Sequence, residues 1–235
     1  MPLKGTVVLI AGGSGALGRT VTPAFAEAGA RVITIERNPS PDQVAAGNAM
    51  QVDVTDEAAV HRLVDEVIRT AGRLDVLVNL VGGFATGCVM DTDASLWQRM
   101  LTMNVTSAFL LSKAVLPHML ERGTGRILHV AAWAAVEPFP GAAAYLVAKS
   151  SLLALIRVSA VELKGSGVTV NGVLPTTIDT PANRASMPHT DPSMWTKPES
   201  IADTLLFLAS DEAGRINGAM LPIGTGGGAT SAGKP

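Results

Sequence analysis

A glycine-rich turn between two apolar runs is the feature that most constrains the fold of this chain. Residues 6–10 form the first run, residues 12–18 read Gly-Gly-Ser-Gly-Ala-Leu-Gly, and residues 32–35 form the second run after a helix-like stretch. Because glycine has no Cβ, such a turn lets backbone N–H groups and a helix N-terminus approach a pyrophosphate. The stretch therefore predicts a strand–helix–strand unit that binds a dinucleotide, in preference to a merely tight turn.

The residue after the second run bears on which dinucleotide binds. Glu36 could accept hydrogen bonds from a ribose diol and would repel a 2′-phosphate, whereas Arg37 could clamp that phosphate. The glycine turn holds no second basic residue, so NAD(H) is favoured over NADP(H). The residues expected to contact the cofactor here are Gly12, Gly13, Ser14, Gly15, Ala16, Leu17, Gly18, Glu36 and Arg37.

Strand-like runs alternate with helical patterns along the rest of the chain, and several of the runs are apolar on both faces. This pattern predicts an α/β fold with a doubly wound (Rossmann) parallel sheet of about seven strands and helices on both faces. Ligands of such sheets bind beyond the carboxyl ends of the strands. The predicted strands cover residues 6–10, 31–35, 50–52, 75–79, 126–130, 168–173 and 219–223.

The length of 235 residues suits a single domain over residues 1–235. A polar link over residues 38–48 suggests a turn with one irregular helix, and residues 174–197 suggest a loop-rich lid with four prolines. The glycine-rich tail, residues 224–235, is expected to be partly flexible, with residues 224–228 near a subunit contact.

Composition narrows the classes of partner. A net charge of −2 provides no basic field for nucleic acid or an anionic membrane surface, and glycines, prolines and charges interrupt every apolar run before it reaches a membrane span. The start lacks a secretory signal's apolar segment, so we expect a cytoplasmic protein. The partners expected are a small-molecule substrate and copies of the same chain.

Metal and thiol chemistry are not expected. The four histidines, His61, His118, His129 and His189, show no metal-ligand spacing and are expected to be structural or surface residues. Cys88 is the single cysteine, and with no base beside it in sequence it is expected to be a buried, inert thiol.

A phenol and an amine stand four residues apart at Tyr145 and Lys149, so on a helix they share one face. A neighbouring ammonium would favour the phenolate and lower the pKa of Tyr145. The alternative is a surface aromatic beside a solvated lysine. The dinucleotide turn upstream, and the strand that precedes the pair, favour an acid–base role for Tyr145 with Lys149 also binding a ribose.

With these motifs in this order, the chain resembles the short-chain dehydrogenase/reductase family over about residues 5–228. The resemblance implies a catalytic Tyr145 and Lys149, and places Asn104 where the family's helix asparagine holds a proton-relay water. It also implies further cofactor contacts. These come from the pair after the third strand, the family's Asn-Asn-Ala-Gly-like motif and the loop at the nicotinamide carboxamide: Asp53, Val54, Asn79, Val81, Gly82, Pro175, Ile178 and Thr180.

Several positions depart from the family pattern. Ala132 stands where a substrate-orienting serine is expected, Ala16 replaces the middle glycine, Ala11 begins the turn, and Thr176 replaces a glycine after Pro175. These departures are similar to the dihydropteridine reductases, which also lack the serine. That subgroup reduces quinonoid dihydropterin with NADH, and an imine-like ring needs no carbonyl oxygen held by two donors.

Three functions therefore remain open at this stage. One is reduction of quinonoid dihydropterin or a similar flat conjugated substrate. A second is a carbonyl reductase or alcohol dehydrogenase in which the Trp133 N–H or a water replaces the serine. The third is a non-catalytic NAD(P)-binding sensor. The candidate substrate residues are Phe84, Ala132, Trp133 and Trp195, with Arg184 and Met187 either contacting substrate or packing the lid.

The family resemblance also implies a homodimer or homotetramer. The stretch over residues 150–163 is rich in apolar residues, more than one sheet contact requires, and we expect it to support self-association. Its apolar residues include Leu152, Leu153, Leu155, Ile156 and Val161.

Overall fold

Seven parallel strands form one sheet in the order β3-β2-β1-β4-β5-β6-β7. The computed structural model describes residues 3–39 and 49–224. The predicted doubly wound sheet is confirmed, and each predicted strand forms with its ends displaced by at most two residues. The strands are β1 Val7–Ala11, β2 Arg31–Glu36, β3 Ala49–Gln51, β4 Val76–Asn79, β5 Gly125–Val130, β6 Val168–Pro175 and β7 Met220–Ile223.

Helices cover both faces of this sheet because alternate strand residues point to opposite sides. On β1, Leu9 belongs to one apolar core and Ile10 to the other, which explains why the run is apolar at every position. Helices α2, α4 and α5 pack on the first face, and α1 and α7 on the second. The helices are α1 Gly18–Glu27, α2 Glu57–Ala71, α3 Ala94–Leu101, α4 Ser107–Arg122, α5 Ala143–Glu162, α6 Pro181–Ser186 and α7 Pro198–Ala209.

Local sequence signals set several helix ends. Asp56 caps α2 by accepting a hydrogen bond from the Ala59 N–H, and Gly72 ends the helix with a left-handed φ of 76°. Asp93 caps α3 in the same way. A π-helical turn, Thr102–Thr106, joins α3 to α4 without a break. A single extra residue in such a turn rotates the following helix relative to the preceding one.

The strand order reverses between β1 and β4, which are neighbours in the sheet but far apart in sequence. Their carboxyl ends are joined by a hydrogen bond from the Leu80 N–H to the Ala11 carbonyl, 2.9 Å long. At such a reversal of strand order, the chains that leave the two neighbouring strands turn to opposite faces of the sheet and leave a crevice between them. The glycine turn after β1 and the segment after β4 line this crevice.

Two helical stretches, Ala94–Arg122 and Ala143–Glu162, are long and apolar enough by composition to cross a membrane. Charged residues such as Lys113, Lys149 and Arg157 still interrupt these stretches, so neither is an uninterrupted apolar run. In the fold, both stretches contribute buried side chains to the cores beside the sheet. Their packing against the sheet accounts for their apolar composition.

Other expectations are corrected by packing. Leu152, Leu153 and Ile156 lie in the core, contrary to expectation, whereas Val161 is exposed, as are Val147 and Val158 of the same helix. The segment over residues 174–197 is not simply a loop, because it contains α6 and a 3₁₀ turn, Pro192–Met194. Most of the link over residues 38–48 and all of the tail beyond Gly224 lie outside the described residues.

A buried hydroxyl on β6 provides a test of this packing. Thr169 is 4% exposed and its Oγ1 has no hydrogen-bond partner among the described residues. A buried polar group without a partner costs about 1–3 kcal/mol. We therefore expect Thr169→Val to raise the free energy of unfolding by about 1 kcal/mol, as measured by urea denaturation.

Thr196→Val is the matched control for this substitution. Thr196 is equally buried, but its hydroxyl bonds the Thr176 N–H, the Thr176 hydroxyl and the Ile223 carbonyl. The same change there should lower stability. Equal effects of the two variants would contradict the assignment of Thr169 as an unpartnered group.

Candidate functional site

The glycine turn is shaped by the close approach of α1 to the end of β1. A Cβ at Gly18 would overlap the carbonyl oxygen of Gly12 and the backbone of Gly13, and Gly12 itself has a left-handed φ of 85°. At Gly13 a Cβ would lie 2.6 Å from the Thr34 side chain, whereas at Gly15 the nearest atom is 3.2 Å away. Space is therefore most restricted at Gly13 and Gly18.

Glu36 closes the turn from the side of β2. Its carboxylate is largely buried, and Oε1 accepts a hydrogen bond of 2.5 Å from the Ser14 N–H. Arg37, in contrast, is mostly exposed and its guanidinium lies 3.5 Å from the carboxylate of Asp53. The side chain and backbone N–H of Thr55 also donate to Asp53, which lowers the pKa of that carboxyl group together with Arg37. The predicted cofactor residues Asp53 and Val54 thus lie on the turn that follows β3.

The segment after β4 connects the glycine turn to the predicted catalytic residues. The Asn79 Oδ1 accepts a hydrogen bond from the Val81 N–H, which curls the chain back at the strand end. A Cβ at Gly12 would touch Leu80 and Val81, so the segment lies directly against the turn. At its other end, a Cβ at Gly82 would lie 2.8 Å from the Asn104 Oδ1 and 3.2 Å from the Lys149 Nζ.

Asn104 lies within the π-helical turn and is fully buried. Its side-chain amide donates to the carbonyl oxygens of Gly83 and Met100, both at 3.0 Å, and its Oδ1 accepts from the Gly83 N–H at 3.2 Å. The side chain is therefore committed to holding Gly83. π-helical turns occur frequently at functional sites, and the role of Asn104 in holding a proton-relay water stays a prediction.

Tyr145 and Lys149 occupy the first two turns of α5. Lys149 is buried and its Nζ donates a 3.0 Å hydrogen bond to the Val130 carbonyl at the end of β5. Burial lowers the pKa of Lys149 to about 8 and raises the pKa of Tyr145 to about 12. The expectation that Lys149 lowers the pKa of Tyr145 is wrong for this structure, because desolvation of the phenolate dominates and the ammonium is directed at β5.

Two of the four candidate substrate residues follow the carboxyl ends of β4 and β5. The ring of Phe84 meets the ring of Tyr145 edge to face, with centroids 4.9 Å apart, and more than half of Phe84 is exposed. Ala132 follows β5 by two residues, with extended backbone and little exposure. Its methyl group provides no hydrogen-bond donor in place of the expected serine.

The other two candidates are differently placed. The indole N–H of Trp133 donates to the Glu137 carboxylate at 3.1 Å, so in this structure it does not substitute for the missing serine. Trp195 is only 6% exposed, so most of its ring is unavailable as a wall for a flat substrate.

Cys88 is exposed, and the expectation of a buried thiol is therefore wrong. The residue before it, Gly87, forms an isolated β-bridge with Ala142.

The loop after β6 is held by contacts that sequence reasoning missed. The hydroxyls of Thr176 and Thr196 lie 2.7 Å apart, and Thr196 also donates to the Ile223 carbonyl. Thr180 caps α6 by accepting from the Asn183 N–H. Arg184, a candidate for substrate contact, makes a two-point ion pair with Asp179 instead. The predicted cofactor residues Pro175 and Ile178 lie on either side of Thr176, which these hydrogen bonds hold in place.

His129 was expected to be merely structural or on the surface, and its partners were missed. It is fully buried on β5, between Asn79 of β4 and Ser112 of α4. Desolvation, and then the positive charge of Lys149, lower the pKa of His129 to about 4. Among the described residues, no group of three His, Cys, Asp or Glu side chains is placed to hold a metal ion.

These residues fit a nicotinamide dinucleotide. The turn at Gly12–Gly18 presents backbone N–H groups without side chains at its glycines, and the buried Glu36 carboxylate lies beside it, at the Ser14 N–H, where a ribose diol would bind. Gly82 lies close to the Lys149 Nζ, and Phe84 packs on Tyr145, so the segment after β4 connects the turn to α5. A dinucleotide bound here would pass from the acidic end of β2 to the phenol of α5.

Comparisons with known proteins agree with this geometry. The model of a family described as Enoyl-(Acyl carrier protein) reductase matches residues 12–227. A 2-(S)-hydroxypropyl-CoM dehydrogenase 3 from Xanthobacter autotrophicus is 32% identical, with 95% of this chain and 97% of that protein covered. A meso-2,3-butanediol dehydrogenase from Serratia marcescens is 33% identical, with 100% and 99% covered. A 3-oxoacyl-[acyl-carrier-protein] reductase FabG from Thermotoga maritima is 31% identical, with 96% and 99% covered.

Solved structures give the same result. A short-chain type dehydrogenase/reductase from Mycobacterium ulcerans superimposes with a TM-score of 0.88 at 26% identity, covering 94% of this chain and 89% of that chain. ElxO with NADP bound superimposes with a TM-score of 0.87 at 25% identity, covering 93% and 96%. Fold, site and relatives together show that this chain belongs to the short-chain dehydrogenase/reductase family and is an NAD(P)-dependent oxidoreductase.

Proposed function

We propose that this enzyme interconverts a small uncharged secondary alcohol and the corresponding ketone, with NAD(H) as the preferred cofactor. The observation that carries the proposal is the placement of Tyr145, Lys149 and Asn104 against the segment after β4, through Phe84, Gly82 and Gly83. The relatives named above include dehydrogenases of a hydroxypropyl compound and of a butanediol. Membership of an oxidoreductase family also favours an enzyme over a non-catalytic sensor.

The chain's own residues manage the proton. In the direction of reduction, the Tyr145 phenol donates its proton to the substrate oxygen, and in the direction of oxidation its phenolate removes the hydroxyl proton. Lys149 holds a ribose, and Asn104 positions a water that returns the proton to solvent. The nicotinamide, when bound, accepts or supplies the hydride.

The substrate end of the site favours an uncharged molecule. The loops over residues 80–93 and 131–142 contain no lysine or arginine. A substrate with an anionic group would therefore find no basic side chain in these loops. Backbone hydrogen bonds between Gly87 and residues 141 and 143 join the two loops. Both loops expose large apolar side chains, namely Phe84, Val89, Met90, Val136 and Phe139, and Phe84 packs on Tyr145.

Reduction of quinonoid dihydropterin, or of a similar flat conjugated ring, is the second candidate. Ala132 is the observation that favours it, because an imine-like acceptor needs one proton donor and not two. The edge-to-face packing of Phe84 on Tyr145 also leaves an aromatic wall beside the phenol. Both candidate reactions use Tyr145 as the proton donor. They differ in whether the substrate needs a second hydrogen-bond donor at position 132.

We also propose that the enzyme is a cytoplasmic homodimer or homotetramer. The support is an apolar outer surface on the helices that follow β4 and β5. Trp97 of α3, Phe109 of α4, and Val158 and Val161 of α5 are all substantially exposed. A second copy of the chain would remove these side chains from water.

The role of Tyr145 is tested by Tyr145→Phe. Loss of the phenol proton should reduce kcat by about 10²- to 10⁴-fold while the dissociation constant for NADH stays close to that of the wild type. Turnover is followed by NADH absorbance and binding by NADH fluorescence. Full activity of this variant would contradict the proposed proton transfer.

Ala132→Ser separates the two candidate substrates. The extended backbone at Ala132 accepts serine without strain, and its hydroxyl would supply a second donor to a carbonyl oxygen. We expect kcat/KM for ketones such as acetoin to rise about tenfold, with little change for quinonoid dihydropterin. Ala134→Ser, two residues further along, is the control. A wild type that reduces the pterin and none of the ketones would overturn the first candidate.

Cofactor preference is tested at Glu36. The wild type should use NADH with a higher kcat/KM than NADPH, because a 2′-phosphate would meet the buried carboxylate. Glu36→Gln keeps an oxygen to accept from the Ser14 N–H but removes the charge, so the preference should fall about tenfold. Glu27→Gln, on the exposed end of α1, is the control of equal charge change. A wild-type preference for NADPH would contradict this assignment.

A further inference from the structure

A chain of buried hydrogen bonds links three elements beneath the cofactor crevice. The Asn79 side-chain amide lies 3.3 Å from the Nδ1 of His129, and the Nε2 of His129 lies 3.2 Å from the Ser112 hydroxyl. That hydroxyl lies 2.7 Å from the Ala108 carbonyl. All three side chains are buried, so strands β4 and β5 and helix α4 are joined by polar contacts away from water.

The direction of each hydrogen bond follows from its ends. The Ala108 carbonyl can only accept, so the Ser112 hydroxyl gives its proton to it and must accept from His129. His129 is therefore the Nε2–H tautomer, and its bare Nδ1 accepts from the Asn79 NH₂ group. Burial and Lys149 lower the pKa of His129 to about 4, which keeps the ring neutral at ordinary pH.

This direction fixes the orientation of the Asn79 amide. With its NH₂ group on His129, the Asn79 Oδ1 is left to accept the Val81 N–H. In the opposite tautomer of His129, Nδ1 would carry the proton and face the Asn79 NH₂ group, which is also a donor. The Asn79 amide would then be favoured in the orientation rotated by 180°, with its Oδ1 on His129. Val81 would then lose its partner at the point where the chain turns out of β4.

The segment that Asn79 controls has contacts at both ends of the crevice. Leu80 and Val81 lie against Gly12 of the glycine turn, and Gly82 lies beside Asn104 and the Lys149 Nζ. The same strand that carries His129 also provides the Val130 carbonyl to which Lys149 donates. A displacement at Asn79 would therefore reach the glycine turn and the catalytic residues together.

We propose that His129 is a positioning residue for the cofactor, acting through Asn79 on the segment over residues 79–83. It touches neither the cofactor nor the substrate. Ser112 sets its tautomer from the far side of β5, and Asn79 transmits the result to the crevice. A purely structural role would affect the stability of the fold without affecting cofactor affinity selectively.

Two substitutions divide the contacts of the ring. His129→Asn places an amide oxygen near the position of Nδ1 and keeps the contact to Asn79, while losing Ser112. His129→Gln places an NH₂ group near the position of Nε2 and keeps Ser112, while losing the acceptor for Asn79. We expect the NADH dissociation constant to stay within about twofold of wild type for Asn and to rise about five- to tenfold for Gln.

Ser112→Ala provides a second route that leaves the ring in place. Loss of its hydroxyl frees the tautomer of His129, and the dissociation constant for NADH should rise about threefold although Ser112 lies outside the crevice. KM for NADH should rise in parallel, with a smaller change in kcat. Thr169→Val, a buried polar-to-apolar change on the adjacent strand β6, is the matched control and should leave NADH affinity unchanged.

Binding is measured by NADH fluorescence without substrate, and thermal melting is recorded for every variant. The proposal would be overturned if His129→Asn and His129→Gln lost NADH affinity equally. It would also be overturned if His129→Gln and Ser112→Ala both kept wild-type NADH affinity while their melting temperatures fell. Because these measurements need no turnover, they stand even if the proposed alcohol or ketone substrate is wrong. If substrate screening found no substrate, the NADH affinities of these variants would still test the role of His129.

Discussion

The close approach of α1 to the end of β1 is the contact on which the site depends. It brings Gly18 against the backbone of Gly12 and Gly13, where no side chain can be accommodated. With the turn held this tightly, the chain leaving β4 can lie against Gly12, and Glu36 can reach the Ser14 N–H from β2. Three strand ends thus converge on one turn, and the crevice for a dinucleotide follows from their convergence.

Burial dominates the electrostatics of the catalytic pair. An ammonium and a phenol placed one turn apart would stabilise the phenolate in water, but here both are withdrawn from water and each is held towards its neutral form. The Lys149 ammonium is compensated by the Val130 carbonyl and not by Tyr145. A bound cofactor and substrate supply polar partners of their own, so the proton-transfer properties of Tyr145 belong to the complex more than to the free chain.

The substrate end of the crevice is simpler than the cofactor end. Ala132 removes one hydrogen-bond donor, the Trp133 N–H is engaged by Glu137, and Arg184 is engaged by Asp179. Tyr145 is left as the proton donor of the proposed reaction, beside the exposed ring of Phe84. Such a site discriminates by shape and apolar contact more than by polar recognition, which agrees with the uncharged substrate proposed.

The sequence by itself determined the parallel sheet, the glycine turn and the positions of Tyr145, Lys149 and Glu36, because periodicity, glycine content and short spacings are local properties of the chain. It could not determine the burial of Trp195, the exposure of Cys88 or the partner of Trp133, since each depends on elements that meet only after folding. The contact between His129 and Asn79 joins residues 50 positions apart. Only the pairing of β4 with β5 brings these two side chains together, and with them the network beneath the crevice.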